Sequence, residues 1–191
     1  MKYVKILGLL AVAAAALMAF AGTAMATTVT TTTGGAAATP TIHAVNSGGH
    51  VTLANPIANI SCSSTVEGKV ESHGAGVTAK GNISKLEFTG CTNSWHVTAI
   101  TNGSLEVHYT SGHNGVLTSS GAKVDTTRFG VTCVYETNNT SIGTVAGGNP
   151  AVLTIAASIP INTGESSSLC GTGNAKWEGK YATTSALYIA P

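Results

Sequence analysis

Cys91 stands in the stretch EFTGCTNSWHVTAI, five residues before His96. A thiolate and an imidazole so close in sequence could serve as nucleophile and base, or as half of a metal site. Catalysis would also require a free thiol and a third group to orient the base. The Asn102-Gly103 pair between two apolar runs predicts a two-residue hairpin. Its register sets Ile100 opposite Leu105 and His96 opposite Tyr109, so His96 is near Cys91 in sequence only. The chain holds four cysteines, Cys62, Cys91, Cys133 and Cys170. An even count in an exported chain predicts two disulfides, with three formal connectivities.

Strand positions favour Cys62–Cys91 and Cys133–Cys170. Cys62 precedes the strand pattern around Val66–Val70, and Cys91 follows the one around Leu86–Phe88. If these strands form a hairpin, both thiols lie at its open end. Apolar pairing sets Val66 opposite an even-numbered residue such as Leu86 or Phe88, which leaves Cys91 off register with Cys62. Gly90 can bend the chain and re-aim the next side chain. The thiols are therefore expected to be structural.

Other chemistry-bearing groups are scattered. Glu106 and His108 share a strand face, as half of a metal site would, with His113 just beyond. No H-x-x-x-H or cysteine-pair pattern completes such a site, and a solvated strand face explains the pair. Asp125 is the sole aspartate, among seven glutamates. Glu67 and Glu71 share a charged face, where they solubilise. The chain has no G-x-S-x-G elbow and no glycine-rich phosphate loop opening a helix. Trp95 and Trp177 read as packing residues, with Trp177 pointing inward because Lys176, Glu178 and Lys180 alternate with it. We expect no catalytic, cofactor or metal site.

The elements that would position these residues begin after a leader. Lys2 and Lys5, the apolar run 6–20 and the small residues ending at Ala26 form a secretory signal peptide pattern. The run is shorter than the ~20 residues a membrane-spanning helix needs. The mature chain would start at Thr27, leaving seven basic and eight acidic residues of the nine and eight in the whole chain. Charged residues are 9% of the chain, against ~25% in typical domains. No basic patch suits nucleic acid, and no amphipathic helix suits a membrane surface. Residues 27–40, TTVTTTTGGAAATP, read as a Thr-rich flexible arm with room for a short edge strand.

Residues 41–191 form one domain. Period-two alternation runs through Val66, Gly68 and Val70; Leu86 and Phe88; Phe129, Val131, Cys133 and Tyr135; Leu153 to Ile161; and Ala175, Trp177, Gly179 and Tyr181. Half-buried antiparallel strands produce this pattern. Turn signals separate the runs, and no mature segment has a helical period. The expected fold is all-β, an antiparallel β-sandwich or jelly-roll-like domain.

The motifs ISCSSTVEG, FTGC, FGVTCVY, GGNPAVLTI, SLCG and WEGKYATTSALYI resemble a group of small secreted bacterial β-proteins of unassigned function. More distantly, the spacing of cysteines, glycines and Trp95 is similar to secreted proteins described as activators of alkane oxidation. These resemblances imply a cell-surface or matrix location and supply no catalytic residues.

The resulting expectation is a secreted, non-enzymatic domain at the cell surface or in the extracellular matrix. It would bind a protein or matrix component, or its own copies, without nucleic acid or membrane insertion. The rival is a small-ligand carrier with an apolar cleft. A carrier should show an apolar pocket with a few polar groups. An adhesive protein should show flat faces and an open strand edge.

Overall fold

The computed structural model of the protein describes residues 26–74 and 76–191. The expected signal peptide therefore lies outside the described residues, apart from Ala26. Fourteen strands run in chain order: β1 (Thr28–Thr30), β2 (Thr41–Asn46), β3 (Val51–Asn55), β4 (Ala58–Ser72), β5 (Ala79–Thr89), β6 (His96–Thr101), β7 (Ser104–Tyr109), β8 (Asn114–Ser120), β9 (Lys123–Arg128), β10 (Val131–Glu136), β11 (Thr140–Ala146), β12 (Val152–Ile159), β13 (Ala175–Thr183) and β14 (Tyr188–Ala190). Two short 3-10 turns, Thr92–Ser94 and Ser168–Cys170, complete the set. No helix among the described residues is long and apolar enough to cross a membrane.

The alternation read from the sequence is there, but the sheet does not fold into a sandwich. β4, β5, β7, β8, β11, β12 and β13 pair in that order, all antiparallel. β2 and β3 both lie between β13 and β4, as two pieces of one interrupted strand. This closes the sheet into an eight-stranded barrel. Alternation records that one face of each strand is buried. It does not record whether the two ends of the sheet meet, so sandwich and barrel share one pattern.

Lys176, Glu178 and Lys180 sit on β13, which has partners on both sides. They face solvent from a wall that has no edge. Trp177 and Tyr181 on the same strand point inward and are buried.

Bulges re-aim the pattern. In β5 the inward residues are Ala79, Gly81 and Ile83, then Leu86 and Phe88, because Glu67 pairs with Lys85 but Gly68 pairs with Ile83. Ser84 is the extra residue. A second irregularity between Ser141 and Gly143 lets both Ile142 and Val145 be buried.

β6, β9 and β10 form a separate three-stranded sheet. The hairpin expected at Asn102-Gly103 is absent, because the pair is a corner between sheets. β6 pairs with β9, so His96 faces Thr127, while Tyr109 on β7 faces Gly115. The Asn102 side chain accepts from Leu86 N–H (3.2 Å) and donates to Ser84 C=O (2.9 Å). It thus satisfies backbone that the bulge leaves free. Gly103 has φ +70, and an added Cβ would lie 2.3 Å from Ala122 N. A turn-forming pair was legible; its partner strand was not.

Phe129 also departs from expectation. Phe129 and Gly130 form the two-residue turn between β9 and β10, with φ of 50° and 79°. A type I′ turn, whose twist matches that of the flanking strands, needs positive φ at both positions. Phe129 is accordingly 87% exposed, while Cys133 and Tyr135 are buried.

Cys62 is bonded to Cys91 and Cys133 to Cys170. Val66 faces Leu86 and Ser63 faces Thr89. Continuing that register sets Gly90 opposite Cys62, and its φ of +59 turns the chain so that Cys91 makes the bond.

Candidate functional site

The interior of the barrel gathers side chains around an enclosed space. One chamber of about 90 Å³ is walled by side chains such as Ile42, Val66, Leu105, Val107, Leu117 and Val145. Val29 of β1, with Leu187 and Ile189 at the other end of the chain, also borders it. β1 pairs with β14 through Val29 opposite Ile189. The expected Thr-rich arm thus includes a packed strand: Thr27, Val29 and Thr30 are buried. Thr27 N–H donates to Val77 C=O, its carbonyl accepts from Gly74, and its hydroxyl accepts from Tyr109 N–H. The β1–β14 ribbon is tied to the barrel by these bonds and by the bridge between Gly148 and Leu187.

Lys69 and Lys80 touch the chamber wall, but their charges lie outside it. Lys69 is exposed, and the Lys80 ammonium pairs with Glu106. Inside, the wall is almost wholly aliphatic. A second space of about 30 Å³ shares Val66, Ile83, Leu105 and Leu153 with the first and continues to Trp177 and Tyr181.

Polar side chains are packed behind the wall of this inner end. Tyr181 Oη donates to Ser64 Oγ at 3.0 Å. Burial pushes the Tyr181 hydroxyl up to about 12, against smaller opposing effects of Ser64 and of the Trp177 N–H nearby. Trp177 Nε1 is itself buried, with its N–H beside the Tyr181 hydroxyl. Its ring is met edge-on by Phe88 at 6.4 Å and by Tyr181 at 6.2 Å. Ser119 borders the inner space, but its hydroxyl is engaged with Thr137 Oγ1 at 3.0 Å.

The barrel is built inside-out relative to one that spans a bilayer, which carries an apolar belt outside and a polar lumen. Here Leu86, Leu117, Ile155 and Tyr181 are inside, and Lys69, Lys85, Glu87 and Glu178 are outside.

The remaining candidates from the sequence do not assemble. All four cysteines are in disulfides, so Cys91 has no thiolate to offer His96. His108 Nε2 is 3.8 Å from Glu106. His113 packs its ring against Tyr188 at 5.3 Å. Among the described residues no group of three metal-ligating side chains occurs. Asp125, in β9 away from the barrel interior, is raised by burial against opposing hydrogen bonds from Thr98. A broad surface dish at Glu136, Asn138 and Asn162 is already satisfied: Asn162 Nδ2 donates to Glu136 and Glu165, and Lys123 pairs with both carboxylates.

Sequence reasoning identified Trp177 and Tyr181 as inward but missed the chamber they serve. The missing information was the closure of the sheet, which brings β7, β8 and β11 opposite β2 and β4. No family model matches the chain, and no curated protein or solved structure does.

Proposed function

We propose that this chain is an exported binding protein rather than an enzyme, and that its closed barrel holds a small apolar molecule. The observation that carries this reading is an aliphatic chamber inside a closed sheet. Such a space is where a small ligand gains most from leaving water. The two disulfides fit an oxidising compartment, in keeping with the signal-like leader. The test is a titration with xenon, read by methyl NMR. Saturable shifts at Val107, Leu117 and Val145 are expected. Unperturbed methyls under xenon pressure would overturn the reading.

A second reading, association with a surface or with other copies, is favoured by two exposed apolar residues. Phe129 is 87% exposed in its positive-φ turn and Leu169 is 68% exposed. Leu169 follows Ser167, whose N–H bonds Thr132 in the strand after that turn. The closed barrel moves this reading away from sheet edges and onto the β9–β10 turn. Sedimentation over a concentration series should show association in the wild type that Phe129→Ser and Leu169→Ser together remove. A strictly monomeric wild type would end it.

A further inference from the structure

The chamber offers a guest apolar contact and nothing else. Resting on the reading of the barrel as a binding site, we infer that its ligand is a hydrocarbon of about three or four carbons that carries no heteroatom.

Polarity sets the first limit. Three polar residues border the chamber, Lys69, Lys80 and Asn82, and each turns its polar end outward. Lys69 is exposed, the Lys80 ammonium pairs with Glu106, and Asn82 Nδ2 donates to Glu71 Oε1 at 2.7 Å on the outer face. Around the inner space the polar side chains already hold one another. Tyr181 donates to Ser64, the Trp177 N–H lies beside the Tyr181 hydroxyl, and Ser119 meets Thr137. The backbone of the wall is paired along its ladders. A hydroxyl, carbonyl or ether oxygen inside would leave water and find no partner, and a charged group would fare worse. A hydrocarbon has no hydrogen bond to lose and gains by leaving water.

Size sets the second limit. At about 30 Å³ per carbon-sized group, the chamber of about 90 Å³ holds about three carbons and the adjoining space of about 30 Å³ one more. A cavity of ~150 Å³ with a comparable wall takes benzene, so a ring of that size is too large here. Length is limited as well. Val29, Leu187 and Ile189 are buried and border the chamber on the ribbon side. Trp177 and Tyr181 pack edge to face beyond the inner space. A long acyl chain would have to displace one group or the other. Wall atoms that face a void lack contact partners, and a compact hydrocarbon restores those contacts without moving either end.

The test applies isobutane, propan-2-ol and benzene to the disulfide-intact protein, with xenon as the reference. Binding is read from methyl shifts at Val107, Leu117 and Val145. Isobutane should bind saturably and compete with xenon. Propan-2-ol has nearly the same shape, with a hydroxyl in place of a methyl, and should bind more weakly by about tenfold or more. Benzene should leave the wild-type methyls unmoved. Leu117→Ala enlarges the chamber and should admit benzene, read at Val107 and Val145, while still binding isobutane. Should that variant fail to fold, the order of the three probes on the wild type still decides. Propan-2-ol binding as tightly as isobutane would refute the exclusion of heteroatoms. Benzene binding as tightly, or a folded Leu117→Ala protein that still excludes it, would refute the size limit. In any of these cases, or if xenon binds and isobutane does not, the inference fails and the apolar binding site stands. If neither xenon nor any probe moves a methyl, the inference and the binding reading both fall.

Discussion

The half of the molecule around β3, β6, β9 and β10 carries both disulfides and buries Trp95, Tyr135, Ile60 and Leu53. The half under the β1–β14 ribbon has no cysteine, and its centre is a chamber of about 90 Å³. The covalent ties are thus in one half, and the aliphatic chamber is in the other. In the chamber half the wall is held by backbone pairing around a closed circuit, from β2 through β13. A ring of ladders fixes the backbone without needing every inward side chain to touch another. The three-stranded sheet lies outside that circuit. It is joined to the barrel by side-chain bonds such as Asn55 to Thr126, by the bridge between Tyr135 and Ile161, and by Cys133–Cys170. The contrast shows how the fold can hold a cavity: closure carries the wall, and cross-links secure the part that closure does not reach.

The strongest way to break the comparison is to remove the cross-links. The bonded cysteines are 29 and 37 residues apart, so each bridge is worth ~3–4 kcal/mol in the chain-entropy account. Cys133→Ala with Cys170→Ala should lower unfolding free energy in urea by that amount. It should leave the xenon response of Val107 and Leu117 intact in the folded population. If the chamber signals vanish at urea concentrations where the variant is still folded, the two halves are not separable in this way.

How far this division could be read from the sequence differs by residue. The pairing of Cys62 with Cys91 followed from their places at the open end of one hairpin, with a bend at Gly90 to overcome their mismatched parity, because a hairpin is a local object. The inward face of β13 followed from Trp177 and Tyr181 alternating with charges. The barrel did not, because the pairing of β12 with β13 and of β13 with β2 and β3 is long-range and adds nothing to the period-two pattern. The corner at Asn102 was misread as a hairpin for a related reason. Its side chain bonds Ser84 and Leu86 in a strand it follows by some 16 to 18 residues, and no turn statistic contains that. The chamber was invisible because a cavity is a property of facing strands, not of any one strand.

A second prediction concerns pH. The Tyr181 hydroxyl is pushed up to about 12 in the folded protein, mainly by burial, against about 10 in an unfolded chain. The folded state therefore keeps this proton after the unfolded state has lost it. The resulting stability is present in full below pH ~10 and is lost progressively as pH rises towards about 12, by roughly 2–3 kcal/mol. Tyr181→Phe should flatten this part of the alkaline unfolding curve, measured as a difference from wild type. Equal slopes in the two proteins would show that the inner end of the barrel is wetter than its walls imply.

The joint between the halves can be tested at Asn102. Asn102→Ala removes two side-chain bonds to the backbone of the β5 bulge. Leaving those groups unpaired should cost about 2 kcal/mol. Amide exchange should accelerate first at Leu86, whose N–H loses its acceptor. A loss confined to β9 and β10, with Leu86 still protected, would mean that the corner is held by something other than this side chain.

The smallest expected effect is also the most discriminating, because its sign should differ between the halves. Ala79 borders the chamber and Ala175 lines neither space; both are buried. Replacing each with Val adds the same two methyl groups to a strand, where a β-branched residue is well tolerated. At Ala79 the added carbon enters empty space, gains contacts and leaves water, so stability should rise by about 0.5–1 kcal/mol. At Ala175 the same atoms meet packed neighbours, and overpacking should cost about 1 kcal/mol or more. Ala79→Val should also weaken xenon binding, since it fills the space xenon would occupy, whereas Ala175→Val should leave it unchanged. Matching losses at both sites would mean that the chamber half is as tightly packed as the disulfide half, and the contrast between them would fail.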